Sequence, residues 1–124
     1  MGDLAYSRDK YEHLRVLLEG AGEGKRKEVS ENLVEFLRSA PRRLRQLEIL
    51  HSLGMLQQLR SCAKALRESA EKVGAKQLSS GCEELERIPG CSEQTYEKVE
   101  AVSREYLSIE RSLRRICHDM HVEV

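Results

Sequence analysis

The chain contains no tryptophan, a single phenylalanine and only two prolines among its 124 residues. Proline interrupts α-helices more strongly than any other residue, so its scarcity leaves long stretches free to be helical. No run approaches the roughly 20 consecutive apolar residues of a membrane span, and no strand-like alternation of apolar and polar residues is present. These absences favour a helical domain without a membrane segment.

An excess of charge of one sign is also missing. Lys plus Arg and Asp plus Glu each number 21, so the formal net charge is zero. A nucleic-acid-binding protein normally carries a basic excess, and we therefore expect no nucleic-acid partner. Basic residues do concentrate locally, in the segments 25–27 and 42–45. Each segment is either a solvated helix face or a patch on which a partner docks.

Signatures of export and of catalysis are absent as well. The N-terminus has no basic segment followed by an apolar core, so we expect no signal peptide and a cytoplasmic protein. The four cysteines include no C-x-x-C pair, and we expect all of them to be reduced. They are Cys62, Cys82, Cys91 and Cys117. No Ser-His-Asp order and no phosphate-binding glycine loop is found, which predicts a protein that is not an enzyme and has no cofactor.

Histidine offers few candidate sites. Cys117 and His121 stand four residues apart near the chain end, but a structural zinc site needs four ligands and no second pair has suitable spacing. We therefore expect a frayed tail and no metal. His13 and His51 are the remaining candidates for a phosphorylated histidine, and we expect both to be ordinary surface residues.

Apolar residues recur every three or four positions in five segments, which is the period of an α-helix. We predict helices over residues 3–19, from 25 to about 54 with a kink or restart at Pro41, over 55–73, over 75–88, and from an N-cap at Ser92 or Thr95 to about 120. Residues 1–124 form one all-α domain with its core at about 25–118. The last four helices are expected to form an up-down-up-down four-helix bundle, with the extra N-terminal helix packed across one end.

Residues 62–75, which read CAKALRESAEKVGA, are the most informative segment. Leu66, Arg67, Ser69 and the run 73–75 follow the order of the histidine-phosphotransfer (HPt) signature, His-x-Leu-Lys-Gly-Ser with a later apolar-Gly-Ala. The flanking segments 36–41 and 78–86 resemble the family's Phe-Leu-x-x-x-Pro and Leu-x-x-x-Cys-x-x-Leu-Glu patterns. The resemblance extends over roughly residues 11–115 and implies an HPt-like domain.

Two residues depart from that pattern. Lys64 stands where the family has its phosphoacceptor histidine, and Glu68 stands where it has a glycine. Phosphotransfer needs a neutral imidazole nitrogen, which histidine can offer near neutral pH. An exposed lysine is protonated and has no free lone pair. A helical wheel places Lys64 away from the apolar stripe that contains Leu59 and Leu66. We therefore expect a pseudo-HPt module that does not transfer phosphate.

The resemblance implies a receiver domain of a response regulator, a histidine kinase, or both, as partners in two-component signalling. The contact surface would be the charged face of the third helix, hereafter the α3 surface: Arg60, Lys64, Arg67, Glu68 and Glu71. Lys64 would attract the aspartates of a receiver, and Glu68 would oppose it or pair with Lys64. The alternative is that this face is merely solvated. The chain would then be a structural or adaptor bundle, with an assembly or chaperone role, that exposes an apolar patch elsewhere.

Overall fold

The computed structural model describes residues 11–20 and 22–124. Over these residues the chain is helical and has no strand, which confirms the expected all-α class. The described residues contain five helices: α1 (Glu12–Gly20), α2 (Glu23–Ser52), α3 (Leu56–Lys72), α4 (Lys76–Glu86) and α5 (Glu93–Asp119). The predicted first helix, 3–19, is described only from residue 11 onward, because residues 1–10 lie outside the described residues.

The second helix differs most from the sequence prediction. The restart is wrong, since a continuous helix of 30 residues contains Pro41 in its interior, and the kink stays a prediction. Proline removes one backbone donor and crowds the carbonyl four residues earlier, here that of Leu37. Phe36, Leu37 and Ala40 are all at most 1% exposed. Their burial just before the proline stabilises the helix through the interruption. The helix also begins earlier than predicted, with Gly22 as its N-cap.

Two glycines set the turns on either side of α3. Gly54 and Gly74 have φ angles of 68° and 74°, in the left-handed region that glycine adopts at little cost. In each turn the next residue donates its N–H back into the preceding helix, from Met55 to Leu50 and from Ala75 to Ala70, each at 2.9 Å. These bonds satisfy carbonyls that a helix end otherwise leaves free. The predicted bounds of α3 are therefore correct to within one residue.

Both residues considered as the N-cap of α5 contribute to it. Ser92 is the N-cap, and its backbone N–H donates to Thr95 Oγ1 at 2.7 Å, while the Thr95 N–H donates to Ser92 Oγ at 3.3 Å. His51 Nε2 lies 2.9 Å from the same Thr95 hydroxyl. The start of α5 is thereby joined to the last turn of α2.

At the opposite end of α2, one arginine joins three helices. Arg26 donates to the carbonyl of Leu18 at 2.8 Å and to that of Met120 at 2.6 Å. An ion pair of 3.2 Å between Arg15 and Asp119 lies at the same end. The ends of α1 and α5 are thus both attached to the beginning of α2.

The helices enclose one core. Helix α2 packs against α1, α3 and α5, and α4 packs against α3 and α5. The predicted inward stripe of α3 is buried at Leu59, Leu66, Ala70 and Val73, each at 0% exposure, whereas Cys62, which was predicted to share it, is half-buried. Phe36 meets Tyr106 of α5 with ring centroids 5.6 Å apart. Among the described residues, no helix is both long and apolar enough to cross a bilayer.

Candidate functional site

Lys64 and Glu68 lie one turn apart on the outward face of α3, and both are exposed. The exposure that the helical wheel predicts for Lys64 is present because Ala63 and Leu66 turn the opposite face of the helix into the core. Within the described part of the chain, neither Lys64 nor Glu68 forms an ion pair. Of the two alternatives for Glu68, pairing with Lys64 is not seen, and both charges face solvent.

Arg67, in contrast, is bound to its own fold. Its Nε donates to Glu86 Oε2 at 2.6 Å and its Nη2 to Glu86 Oε1 at 3.3 Å, while Nη1 donates to Glu71 at 3.0 Å. We call these contacts the α3–α4 clasp. The hydrogen bonds that Arg67 donates to Glu86, and then the one to Glu71, raise the pKa of its guanidinium above its usual range. Since a two-pronged arginine–carboxylate contact fixes both side chains, Arg67 is held in place against α4.

Glu71 and Arg60 are also engaged inside the molecule. Glu71 accepts a further hydrogen bond from Ser79 of α4 at 3.3 Å. Arg60 donates through Nη2 to the carbonyl of Ile88, in the turn between α4 and α5. Its Nε is buried and has no hydrogen-bond partner among the described residues. The five residues of the α3 surface therefore divide into three that fasten α3 to α4 and its following turn, and two, Lys64 and Glu68, whose charges are free.

No motif or spacing in the sequence indicates these fastenings. Arg67 and Glu86 are separated by 19 residues, and Arg60 and Ile88 by 28. Local periodicity shows which residues share a helix face, but it does not show which charges on neighbouring helices stand at the same height. They arise only from the way in which α3 packs on α4.

A second polar contact fastens α3 to α2. Ser69, which matches the serine of the HPt signature, is 5% exposed and donates to Glu35 Oε2 at 2.6 Å. Arg43 lies 3.5 Å from the other oxygen of Glu35. Burial raises the pKa of the Glu35 carboxyl, but the hydrogen bonds from Ser69 and Ser39 and the charges of Arg43 and Lys72 outweigh it, so its pKa is below the usual value. Ser69 is thus a packing contact beneath the exposed surface.

The other candidate residues are placed differently from a phosphoacceptor or a metal site. His51 is half-buried, bound to Thr95, and has its ring 5.4 Å from that of Tyr96. Cys117 is buried at the end of α5, whereas His121 lies beyond the helix with a φ of 58°. The two do not share a helix face as their spacing suggested. In residues 11–20 and 22–124, no three potential ligands gather to hold a metal. The side chain of His13 lies outside the described residues.

Cysteine chemistry does not add a site. All four cysteines are free thiols, as expected. Cys82 is fully buried, and this burial, followed by the nearby Glu86, raises the pKa of its thiol to about 12. Burial also raises the pKa of Cys117 and of the half-buried Cys62. Since the thiolate is the reactive form, these three residues behave as small apolar side chains.

No protein-family model, curated protein or solved structure matches the chain. Lys64 and Glu68 are exposed and unpaired within the described residues, and the side chains of Arg60, Arg67 and Glu71 beside them are fixed by contacts within the fold. Among the residues of the α3 surface, Lys64 and Glu68 are therefore the ones whose charges can contact a partner.

Proposed function

We propose that this chain is a pseudo-HPt binding module, an up-down-up-down four-helix bundle that docks a receiver domain or a histidine kinase in two-component signalling without carrying phosphate. The observation that carries the proposal is the exposed Lys64. It occupies the position of the phosphoacceptor in a segment that otherwise resembles the HPt signature.

The positions of the matching residues support the proposal. Leu66 and Val73 are fully buried and Ala75 is 2% exposed, so the apolar positions of the signature are packing positions here. Gly74 takes a left-handed backbone conformation, which explains physically why the signature has a glycine at this position. Helices that follow one another from α2 to α5 are packed neighbours, and α5 packs back on α2, as a bundle of alternating direction requires.

The chemistry of the exposed pair defines the mechanism. A protonated lysine is a compact charge on a flexible stem, and it is attracted by the clustered aspartates of a receiver domain. It offers no nitrogen lone pair, so it cannot accept a phosphoryl group. Glu68 repels the same aspartates and blocks the close approach that a glycine would allow. The module would therefore occupy the receiver with modest affinity and keep it from other phosphotransfer partners.

Calorimetry with purified receiver domains tests this function, and two charge reversals serve as test and control. We expect binding with a Kd on the order of micromolar. Lys64→Glu should weaken it about tenfold or more, since it reverses the central charge. Lys76→Glu reverses an exposed charge in the first turn of α4 and should leave binding unchanged. Equal effects of the two variants, or binding that survives Lys64→Glu, would place the contact elsewhere.

A second experiment tests the absence of phosphotransfer. The wild-type chain should acquire no phosphoryl group from a phosphorylated receiver. The double variant Lys64→His with Glu68→Gly introduces the histidine and the glycine of the HPt signature and should form an acid-labile phosphohistidine. Phosphorylation of the wild-type chain would contradict the proposal directly.

An adaptor role is the second candidate, and one observation favours it. Three large apolar side chains are exposed around the turn between α2 and α3: Ile49 at 56%, Leu53 at 65% and Met55 at 37%. An assembly module is expected to expose apolar side chains away from Lys64, as these are. If neither receivers nor kinases bind, while Leu53→Ser abolishes binding to a protein that co-purifies with the wild-type chain, the adaptor role replaces the pseudo-HPt role.

A further inference from the structure

A row of arginines follows the outer face of α2. We define the outer stripe of α2 as Val34, Arg38, Arg42, Arg45 and Ile49, which are spaced by four, four, three and four residues and therefore share one helix face. Between Phe36 and Leu47 the helix contains four arginines and neither a lysine nor an acidic residue. In a chain with zero net charge, this is a marked local excess of one sign.

The arginines of the outer stripe have no partner inside the fold. Arg38, Arg42 and Arg45 are exposed, and none of them forms an ion pair with another described residue. Arg43, which lies beside them, turns toward α3, donates to Ser39 at 2.8 Å and pairs with Glu35. Like charges one turn apart on a helix repel each other. The three exposed guanidinium groups thus work slightly against the folded state, and packing gives no reason for them.

The outer stripe also borders a continuous depression. A groove of about 670 Å³, hereafter the lower groove, is lined by Arg38, Arg42 and Val34 of α2 and by His121 and Val122 of the C-terminal segment, among others. A second groove of about 480 Å³ is lined by Arg42, Arg45 and Ile49, among others. Since Ser39 and Arg42 line both grooves, the two join along the helix.

We propose that the outer stripe of α2 binds an acidic amphipathic helix of a partner protein. Carboxylates at the centre of that helix would meet Arg38, Arg42 and Arg45, because a guanidinium group matches a carboxylate with two parallel hydrogen bonds. Apolar side chains toward its two ends would rest on Val34 and on Ile49, which is 56% exposed. The distance from Val34 to Ile49 along the helix is roughly 22 Å, which corresponds to about four turns of a partner helix.

Charge complementarity favours an acidic protein segment over nucleic acid. Glu31, Glu35 and Glu123 line the lower groove, so a chain of phosphates that continued along it would meet carboxylates. A short helix whose acidic residues are confined to its centre avoids them. The outer stripe contains no residue of α3, so this interaction goes beyond the proposed function and can fail without affecting it.

The test uses the full chain and a designed probe. The probe is a fluorescein-labelled peptide of about 18 residues, long enough for the four turns, with glutamates at its centre and leucines at helical spacing toward both ends. Its binding is measured by fluorescence anisotropy at low ionic strength, because screening weakens exposed ion pairs. We expect saturable binding, and no binding of the same peptide with lysines in place of glutamates.

Two matched double variants locate the contact. Arg42→Glu with Arg45→Glu changes the outer stripe, and Arg104→Glu with Arg111→Glu changes exposed arginines of α5 that border neither groove. Both change the net charge by the same amount. The first should weaken binding at least about tenfold, and the second less than about threefold, since only the first removes direct contacts. Ile49→Ser should weaken binding as well.

Three results would overturn the proposal. They are equal weakening by the two double variants, binding that does not respond to Ile49→Ser, and displacement of the peptide by single-stranded DNA at a comparable concentration. The first would indicate attraction by net charge alone, and the last a general polyanion surface. Circular dichroism verifies the fold of each variant. If a charge reversal unfolds the chain, Arg42→Gln with Arg45→Gln replaces it, with Arg104→Gln and Arg111→Gln as its control.

Discussion

The α3–α4 clasp and the outer stripe of α2 are both built around arginines, and in the sequence they look alike. In the structure, Arg67 reaches Glu86 and Glu71 with three hydrogen bonds. Arg42 and Arg45 point away from the bundle and have no acidic partner within the described residues. The difference lies in whether a carboxylate of the chain itself stands within reach, and this decides which charges remain available to another molecule.

The cause of this difference is burial. The side chains of Arg67 and Glu86 are each only 21% exposed, and a charge that loses much of its water needs a partner. The pairing of Arg67 with Glu86 is therefore required by the fold and gives no information about the binding of another molecule. Exposed arginines keep their water and do not need a partner, so the unpaired arginines of the outer stripe remain free to bind another molecule, as the proposal requires.

The largest expected effect comes from the core that supports both surfaces. Phe36→Ala removes a fully buried ring that packs against Tyr106 and should lower the free energy of unfolding by about 3–5 kcal/mol. Urea unfolding followed by circular dichroism measures it, with Phe36→Leu as the milder control. If Phe36→Ala, once unfolded in urea, still bound the acidic peptide, the outer stripe would bind as a linear segment. Its difference from the α3–α4 clasp would then not depend on the fold.

The next prediction compares the two surfaces directly. Arg67→Ala leaves Glu86 and Glu71 without their shared partner and should lower the midpoint of thermal unfolding. The carboxylate of Glu86 would stay partly buried with no positive charge to offset its lost hydration. Arg42→Ala should leave the midpoint unchanged or raise it slightly, because it relieves repulsion with Arg38 and Arg45. Similar losses from both variants would mean that the arginines of α2 are structural after all.

A smaller effect, with a defined pH dependence, is expected where α2 meets α3. Ser69→Ala removes the hydrogen bond to Glu35 and should cost about 1 kcal/mol at neutral pH. The pKa of Glu35 is lowered from its ordinary value of 4.5, so the stability that its contacts provide is present above pH 4.5 and is lost as the pH falls through the folded-state pKa. Wild type and Ser69→Ala should therefore converge in acid. A difference that stays constant down to the acid transition would rule out ionised Glu35 as the partner.

The smallest effect separates pairing from burial. Arg114 pairs with Glu110 on α5 at 3.3 Å, but 49% of its side chain is exposed. Arg114→Ala should change the free energy of unfolding by less than about 0.5 kcal/mol, as is usual for exposed pairs on one helix. A loss as large as that from Arg67→Ala would show that pairing alone, without burial, distinguishes the clasp from the outer stripe.

Much of the fold could be predicted from the sequence because its helix boundaries are set by local chemistry. Gly54 and Gly74 end helices through their own backbone conformation, and Ser92 begins one through its own side chain. Pro41 shows the limit of this reasoning. Its local effect is to break a helix, but side chains packed from other helices hold the surrounding residues in place, and that packing is not visible in the segment itself.

The candidate site could be predicted in part for the same reason. The exposure of Lys64 follows from its angle to Leu59 and Leu66 on a single helix. Whether its charge is paired depends on the acidic residues that neighbouring helices bring near it, which a single helix does not show. The outer stripe of α2 was partly visible as the basic segment 42–45, but the inward turn of Arg43 and the contribution of Arg38 required the structure.

Arg26 gives the molecule a mechanical weak point. A force that pulled α1 and the end of α5 apart would act on the Arg15–Asp119 pair and on the bonds of Arg26 to Leu18 and Met120, because these join the two segments to each other and to α2. The C-terminal segment that follows Met120 supplies His121 and Val122 to the wall of the lower groove. We expect stretching to detach that wall from the outer stripe of α2 while the α3–α4 clasp is still closed, so that load on the ends of the bundle would open the proposed docking groove before it separates α3 from α4.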